Sequence, residues 1–561
     1  MMEDKIFVRN RSSVIRYGIY LFLLLAFACK QQPKTVIAPW VPYDESEELA
    51  KNADHESRKM QYKLIQSRVL DKNDIWKNVS DQISNFSEED YQAYKPLIFE
   101  QDIPTIQSHI QSGSLSYEVL TQWYLYRIVK FENDRNTYLN AIITINSAAV
   151  SEARIRDKNR SDKDHPIYGM PILLKDNINV DGMFTTAGAQ AFINNKTSDA
   201  FIVERIKEKG GIILGKTNLS EWANYLCLGC PNGYSAVGGQ TLNPYGRKIF
   251  DTGGSSSGSG VSMAVNYAAA AVGTETSGSI LSPSSKSSLA GLKPTIGLLS
   301  RGGIVPISST LDTPGPMTRN VIDNAILLSA MSGEDPADPT TKNNPKNIKY
   351  WEDVKSGNLE GIRFGVNKLF LKDSLYKKAV DDIQSLGGLA IEFEPERIVF
   401  ENFGAFLSAD MKVDLPAYIS QYGSDEIPFK SVSDIVDYNK EDSLVRIPYG
   451  QARFEGILEV DMSQDSLVQL KRRLQDEGIR FFEEPMVEYD LDVILSMNNR
   501  NAGYAAVAKY PCLTVSMGYQ ESGEPGGITF IARPFEEDKL LKIGYAYEQV
   551  TGKRKIPKKY N

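Results

Sequence analysis

Gly253-Gly254-Ser255-Ser256-Ser257-Gly258-Ser259-Gly260 and, after the run Val261–Val272, Gly273-Thr274-Glu275-Thr276-Ser277-Gly278-Ser279-Ile280 are two Gly/Ser-rich turns around an apolar segment. A flexible Gly/Ser linker would not enclose a run such as Ala268-Ala269-Ala270-Ala271-Val272, so both turns belong inside a folded core. Glycine at such turns lets the backbone approach a ligand closely. The N–H groups exposed there can hold a developing negative charge. Upstream, Gly169-Met170-Pro171-Ile172-Leu173-Leu174-Lys175-Asp176 places a lysine at the end of an apolar run. Serines in glycine turns together with a lysine in apolar surroundings point to nucleophilic hydrolysis without histidine.

A serine hydroxyl is a weak nucleophile and needs a base. Lysine serves when neutral, and burial lowers its pKa. The bland alternative is a Lys175 paired with a carboxylate beside two purely structural turns, and the residues alone leave it open. Other chemistries fit less well. Gly210-Gly211-Ile212-Ile213-Leu214-Gly215-Lys216-Thr217 matches a phosphate-binding loop literally, but it follows a helix-like run (Ile202 to Lys209) and puts strand-like residues inside the supposed loop. A Ser-His-Asp triad has only His55, His109 and His165 to draw on; the first two lie in helical N-terminal sequence and His165 reads as a surface residue of a polar loop. Ser-x-x-Lys fails at Lys286, where Pro283 stands in the serine position. Cys227-Leu228-Gly229-Cys230 lacks the second ligand pair that zinc needs. It reads as two loop cysteines without catalytic duty, able to form a disulfide in an oxidising compartment. No metal or cofactor is expected.

The chain has 561 residues and a net charge of −8, which gives no basic face for nucleic acid. Lys5, Arg9, Arg11 and Arg16 precede an apolar core from Tyr17 to Ala28, too short to span a bilayer comfortably and suited to a secretory signal. It ends in Leu25-Ala26-Phe27-Ala28-Cys29, which resembles a bacterial lipoprotein signal with Cys29 as the lipidated first mature residue, although Ala26 and the bulky Phe27 depart from the usual pattern. The expected organisation is a signal peptide over 1–28, a tether over 29–45, an N-terminal helical extension over 46–97 and one large domain over 98–556.

Within the extension, Leu64, Ile65, Val69 and Leu70 recur at helical spacing. Residues 98–160 read as paired helices, with Leu120, Trp123, Tyr124 and Ile128 on one stripe. The block from 167 to 325 alternates strands and helices, Ile212-Ile213-Leu214 being a short buried strand. Residues 335–495 are charged and irregular, an excursion over the core with a helix around Ser466 to Gln475. Core-like patterning returns at 496–552, with a strand at Cys512-Leu513-Thr514-Val515 and a closing helix from Lys539 to Tyr547.

From about residue 98 to 552 the chain resembles the amidase signature family. The resemblance runs through Gly169–Asp176, Gly215-Lys216-Thr217-Asn218-Leu219-Ser220-Glu221-Trp222-Ala223, Gly238-Gly239-Gln240-Thr241-Leu242-Asn243-Pro244-Tyr245, both Gly/Ser turns, Gly291-Leu292-Lys293-Pro294-Thr295 and Asp312-Thr313-Pro314-Gly315-Pro316. The Glu-Trp-Ala, Gly-Gly-Gln-Thr and Gly-Thr-Glu-Thr wording looks most like the bacterial peptide amidases, which remove the C-terminal amide of peptides. The resemblance implies one α/β/α domain on a large mixed sheet with helices on both faces. It puts Lys175 on the family's catalytic lysine, Ser255 on the bridging serine reached through a cis peptide bond, and Ser279, 24 residues further on, on the nucleophile. The backbone N–H groups of Thr276, Ser277, Gly278 and Ser279 fall on the oxyanion hole. Ser256, Ser257 and Asp312 read as supports of the site, and Lys293 as a structural cap.

Three departures bear on substrate preference: Ser277 stands for the usual Gly or Asp, Leu281 for a frequent Arg, and Ser288 for a usual Gly. Three readings remain open. One is an exported, lipid-anchored peptide amidase. A second is an amidase for aryl, acyl or fatty amides. The third is an inactive lipoprotein that binds amides. A glutaminyl-tRNA amidotransferase subunit shares the signature but works in the cytoplasm, which the export signal argues against.

Overall fold

A computed structural model describes residues 35–161, 164–342, 344–345 and 349–561. The expected signal peptide, Cys29 and the first part of the tether lie outside the described residues. Eleven strands form one mixed sheet: β1 (Ile142–Ile145), β2 (Pro171–Lys175), β3 (Ile212–Thr217), β6 (Ala270–Glu275), β7 (Ala290–Lys293), β8 (Thr313–Thr318), β9 (Arg363–Asn367), β10 (Leu389–Phe393), β11 (Val493–Met497), β12 (Cys512–Tyr519) and β13 (Pro525–Ile531). A small hairpin, β4 (Tyr234–Ser235) with β5 (Gly239–Gln240), stands apart. The sheet order is β1-β3-β2-β6-β8-β7-β12-β13-β11-β9-β10.

The sequence explains the parallel strands near one edge of this sheet. Ile172-Leu173-Leu174, Ile212-Ile213-Leu214 and Ala270-Ala271-Val272 are unbroken apolar runs, as strands buried on both faces require. β2 pairs in parallel with both β3 and β6, and Leu174 lies opposite Val272. Parallel neighbours end on the same side of a sheet. The register therefore brings the end of β2, with Lys175, beside the end of β6, with Thr274 and Glu275. Ligands of open α/β sheets bind outside such carboxyl ends.

The Ser257–Ala264 helix joins the first Gly/Ser turn to β6 and lies against β2, β3, β6 and β8. Its Gly258 needs to be glycine, because a Cβ there would sit 2.4 Å from the Asn218 carbonyl oxygen and 2.7 Å from that of Ala141. The Tyr117–Glu132 helix buries Leu120, Trp123, Tyr124 and Ile128 completely, as its stripe predicts. The closing helix runs Glu537–Thr551.

Two expectations need correction. Leu64 to Leu70 are not helical. Helix in 46–98 is confined to Ser46–Ala50, Lys72–Lys77 and Glu88–Ile98, with one 3-10 turn at Arg58–Met60. The apolar residues of 64–70 are spent on contacts instead: Ile65 joins the main core, and Val69 and Leu70 pack on Ile143, Leu219 and Val237. Residues 335–495 are not only an excursion. They supply β9, β10 and β11, which widen the sheet beyond β13. Between β10 and β11 the chain does leave the sheet. The helices Phe403–Tyr422, Val432–Glu441 and Ala452–Glu459 and the first half of Gln464–Glu488 form a second apolar core. Its residues Phe406, Met411, Leu415, Phe454 and Leu474 close over Ala187, Phe192 and Trp222.

The extension shares the main core rather than standing beside it: Met60, Ile65, Ile75, Trp76, Val79, Ile83 and Phe86 all belong to it. Trp76 is buried, and its indole N–H donates to Asn133 Oδ1 at 2.9 Å. Trp76→Ala should therefore destabilise the whole domain by about 3–5 kcal/mol. A thermal unfolding scan should show one transition at lower temperature. An unchanged main transition would mean that the extension folds as an appendage.

Candidate active site

Lys175 is fully buried at the last position of β2. Its Nζ lies 2.8 Å from Ser255 Oγ, and it donates to Thr274 O at 3.1 Å and Thr274 Oγ1 at 2.8 Å. Asn177 Nδ2 donates to the same Thr274 hydroxyl at 3.0 Å. A neutral amine has two N–H donors and one lone pair. The two oxygens of Thr274 satisfy the donors, and the third direction points at the Ser255 hydroxyl. Burial brings Lys175 down to about 7, and Asp312 and Glu275, acting from a distance, oppose this only in part.

The neighbouring strand contains the control. Lys216 on β3 is also fully buried, but its Nζ sits 3.1 Å from Asp176 Oδ1, also fully buried. Asp176 further accepts from the Thr186 hydroxyl and from its N–H at 3.1 Å. Lys216 is thus the carboxylate-paired structural lysine, and Lys175 forms no ion pair among the described residues. The phosphate-loop pattern dissolves with this: residues 212–217 are all strand.

Ser255 is fully buried and follows a cis peptide bond from Gly254. Its carbonyl accepts from the Ser220 N–H at 3.0 Å. Ser256 and Ser257 are supports, as expected. Ser256 Oγ donates to Thr274 O at 3.0 Å, and Ser257 Oγ donates to Gly253 O at 2.6 Å. The two Gly/Ser turns meet where the Ser256 N–H donates to the Ser279 carbonyl at 3.2 Å. Ser279 keeps 9% of its surface exposed, whereas Lys175 and Ser255 keep none. A ligand from solvent thus meets Ser279 first. Among the described residues the Ser255 and Ser279 hydroxyls make no direct hydrogen bond to each other.

Glu275 fixes the turn that carries Ser279. Its Oε2 accepts from Ile280 N at 2.7 Å and Leu281 N at 3.0 Å, and the Gly278 N–H also faces its carboxylate. The N–H groups of Thr276, Ser277 and Ser279 donate to no other group among the described residues. They are available to an anion. Gly278 has φ +99°, and a Cβ there would lie 2.9 Å from Asn499 Nδ2. The Ala502–Ala508 helix, next to Asn499, closes this side of the turn.

The remaining sequence-singled residues sort clearly. Lys293 Nζ donates to Pro294 O at 3.0 Å in a fully buried setting, a cap as expected. Asp312 Oδ1 accepts from the Thr276 hydroxyl at 2.5 Å. Ser288 adopts φ +55°, the reason a glycine suits that position, and its hydroxyl is held by Ser516 Oγ at 2.8 Å and the Tyr519 hydroxyl at 2.9 Å. Leu281 is buried among Phe482, Ala502 and Ala505. Cys227 and Cys230 are paired as a disulfide. His165 is not a free surface residue. It is partly buried, its ring 4.4 Å from that of Trp351, and burial pushes it down to about 3.

Sequence reasoning missed Thr274 and Asn177, which orient the lysine, and the Asp176–Lys216 pair. It also missed the run Trp222-Ala223-Asn224, with φ of 50°, 54° and 78°, which begins two residues after Ser220. Three consecutive left-handed non-glycine residues persist only where surrounding structure imposes them. Here Phe192 and Phe454 pack on the Trp222 ring at 4.8 and 5.1 Å.

The sequence profile of the Amidase family matches residues 120–496. The chain belongs to the amidase family. A probable amidase of Arabidopsis thaliana is 34% identical over 487 residues, covering 82% of this chain and 92% of that relative. The structure of an amidase family protein from Bacillus anthracis superimposes with a TM-score of 0.83 at 36% identity, covering 88% of this chain and 99% of the other. The native peptide amidase of Stenotrophomonas maltophilia superimposes with a TM-score of 0.78 at 35% identity, covering 82% and 98%. Curated relatives also include A subunits of glutamyl-tRNA(Gln) amidotransferase. The expected α/β/α amidase-signature fold and its hydrolase chemistry are thereby established for this chain.

Gly278→Ala should lower kcat by about 10²-fold, the effect of a displacement of about 1 Å near reacting atoms, because the added methyl meets Asn499 and the left-handed backbone resists it, which shifts the turn that carries Ser279. Steady-state kinetics of the folded variant check this; a kcat within twofold of the parent would place the reacting oxygen elsewhere.

Proposed function

We propose that this amidase is a serine amidohydrolase acting through Lys175, Ser255 and Ser279, with the C-terminal amide of peptides as its substrate. The observation that favours it most is the buried Lys175 amine, unpaired by any carboxylate and 2.8 Å from a serine hydroxyl. Neutral Lys175 takes the Ser255 proton as Ser255 takes that of Ser279. Ser279 Oγ then bonds to the amide carbon, and the carbonyl π electrons move to oxygen. The Thr276, Ser277 and Ser279 N–H groups receive that oxyanion, and Gly278 completes the turn; one such donor is worth about 3 kcal/mol. Collapse breaks the C–N bond, the proton returns through Ser255 to nitrogen, and ammonia leaves. Water then cleaves the acyl-enzyme to the carboxylic acid and regenerates Ser279. The missing hydrogen bond between the two serines fits a site without substrate, where catalytic contacts are often long and tighten on binding.

Peptide amides are favoured over simple amides by the likeness to the Stenotrophomonas peptide amidase over most of both chains. Export with a lipidated Cys29 is part of the same proposal. It rests on the N-terminal sequence and is consistent with the Cys227–Cys230 disulfide.

Two measurements test this reading. The purified chain should release ammonia from C-terminally amidated peptides faster than from aryl, alkyl or fatty amides, and Ser279→Ala should release none and resist fluorophosphonate labelling. Turnover of simple amides alone would reassign the substrate, and an unlabelled, inert parent would leave only a binding protein. Because Lys175 must be neutral, kcat/KM should fall about tenfold per pH unit below about 7 and level off above it. Lys175→Met should cost about 10²–10⁴-fold and abolish that limb. A limb that survives in Lys175→Met would belong to another group.

A further inference from the structure

The helical layer over the site is tied to the oxyanion loop by side chains that no step above uses. Asp312 accepts the Thr276 hydroxyl on one oxygen, and on the other it accepts the N–H groups of Ile307 at 2.7 Å and Ser308 at 2.9 Å. One carboxylate thus clamps the 307–308 turn to the loop that bears the oxyanion donors. Ser308 is fully buried, and its hydroxyl donates to Asp410 Oδ2 at 2.5 Å. Asp410 is itself only 3% exposed. Its other oxygen lies 2.6 Å from Lys471 Nζ. One turn further along the same helix, Asp414 Oδ2 accepts from the Ser309 N–H at 2.6 Å.

Asp410 and Asp414 belong to the Phe403–Tyr422 helix and Lys471 to Gln464–Glu488, both in the second core. The path therefore runs from the overlying helices through Ser308 and Asp312 to Thr276. A buried carboxylate that loses a partner keeps its desolvation cost without compensation, so these contacts are made or broken together rather than stretched. Near reacting atoms, a displacement of about 1 Å can cost about 10²-fold in rate.

We propose that Asp410, acting through Ser308, is a positioning residue for the oxyanion loop: seating of the Phe403–Tyr422 helix fixes Asp312 and with it the Thr276–Ser279 amides. This rests on the serine amidohydrolase reading. It assigns the helical layer a part in the chemical step in addition to covering the site.

The test compares Ser308→Ala, Asp410→Asn and Asp410→Ala in the full chain. The expected result is a kcat lower by about 10- to 100-fold with KM within about twofold, and fluorophosphonate labelling of Ser279 slowed by a similar factor. Asp410→Asn, which keeps an acceptor for Ser308, should retain more activity than Asp410→Ala. Thr276→Val combined with Ser308→Ala should cost no more than the worse single variant, because both cut one path. Unchanged kcat, a change in KM alone, or additive losses in the double variant would overturn the proposal while leaving the amidase reading intact. Should Asp410→Ala fail to fold, Ser308→Ala, which removes the hydroxyl that Asp410 and the Thr310 N–H share, and Asp410→Asn, which removes only the charge, decide it. A parent chain that neither turns over amides nor labels would overturn both readings together.

Discussion

A lysine amine buried without a carboxylate is the constraint on which the rest of this structure depends. Desolvation favours the uncharged form, and an uncharged amine is a base. That condition holds only while water and counter-charges stay away. The parallel strands β3, β2 and β6 keep it so. β3 and β6 flank β2, and the sole carboxylate adjacent in sequence, Asp176, is engaged by Lys216 and Thr186. The Asp176–Lys216 pair thus keeps the carboxylate next in sequence engaged on its own partners. Replacing either partner would leave the other charge buried and unpaired.

The second requirement is a rigid anion-binding turn. Glu275 bonds the N–H groups that follow Ser279, Asp312 holds the Thr276 hydroxyl, and Gly278 supplies a backbone conformation no other residue adopts without strain. The preorganised amides then need no rearrangement when charge develops. Burial raises the Asp312 carboxyl to about 6, while its hydrogen bonds to Thr276, Ile307 and Ser308 favour the ionised form. The turn that carries Ser279 is therefore braced by a carboxylate whose own ionisation is only modestly favoured.

The helical layer from 403 to 488 gives the site its shape. Its apolar core closes on Phe192 and Trp222, and Trp222 belongs to the left-handed run after Ser220, whose N–H holds the Ser255 carbonyl. The second core and the Ser255 turn are thus joined by short covalent and hydrogen-bonded paths.

The sequence by itself determined the family and which serines and lysine are candidates for its chemistry. Lys175, Ser255 and Ser279 sit in punctuated motifs whose glycines and apolar flanks reveal burial and turn geometry locally, and the buried runs of β2, β3 and the start of β6 follow from the same signal. It also separated Lys216 from a phosphate loop, because strand residues cannot form one. What only the tertiary structure decided are pairings between residues far apart in the chain. Nothing local says that Asp176 meets Lys216, that Thr274 orients Lys175, or that Ser308 meets Asp410. Nor does helical spacing at Leu64 to Leu70 say that those side chains bind separate partners from an irregular backbone, or that charged sequence near 363 and 389 adds edge strands. Periodicity reports which residues are apolar; which surface buries them depends on the register of a sheet assembled from distant segments.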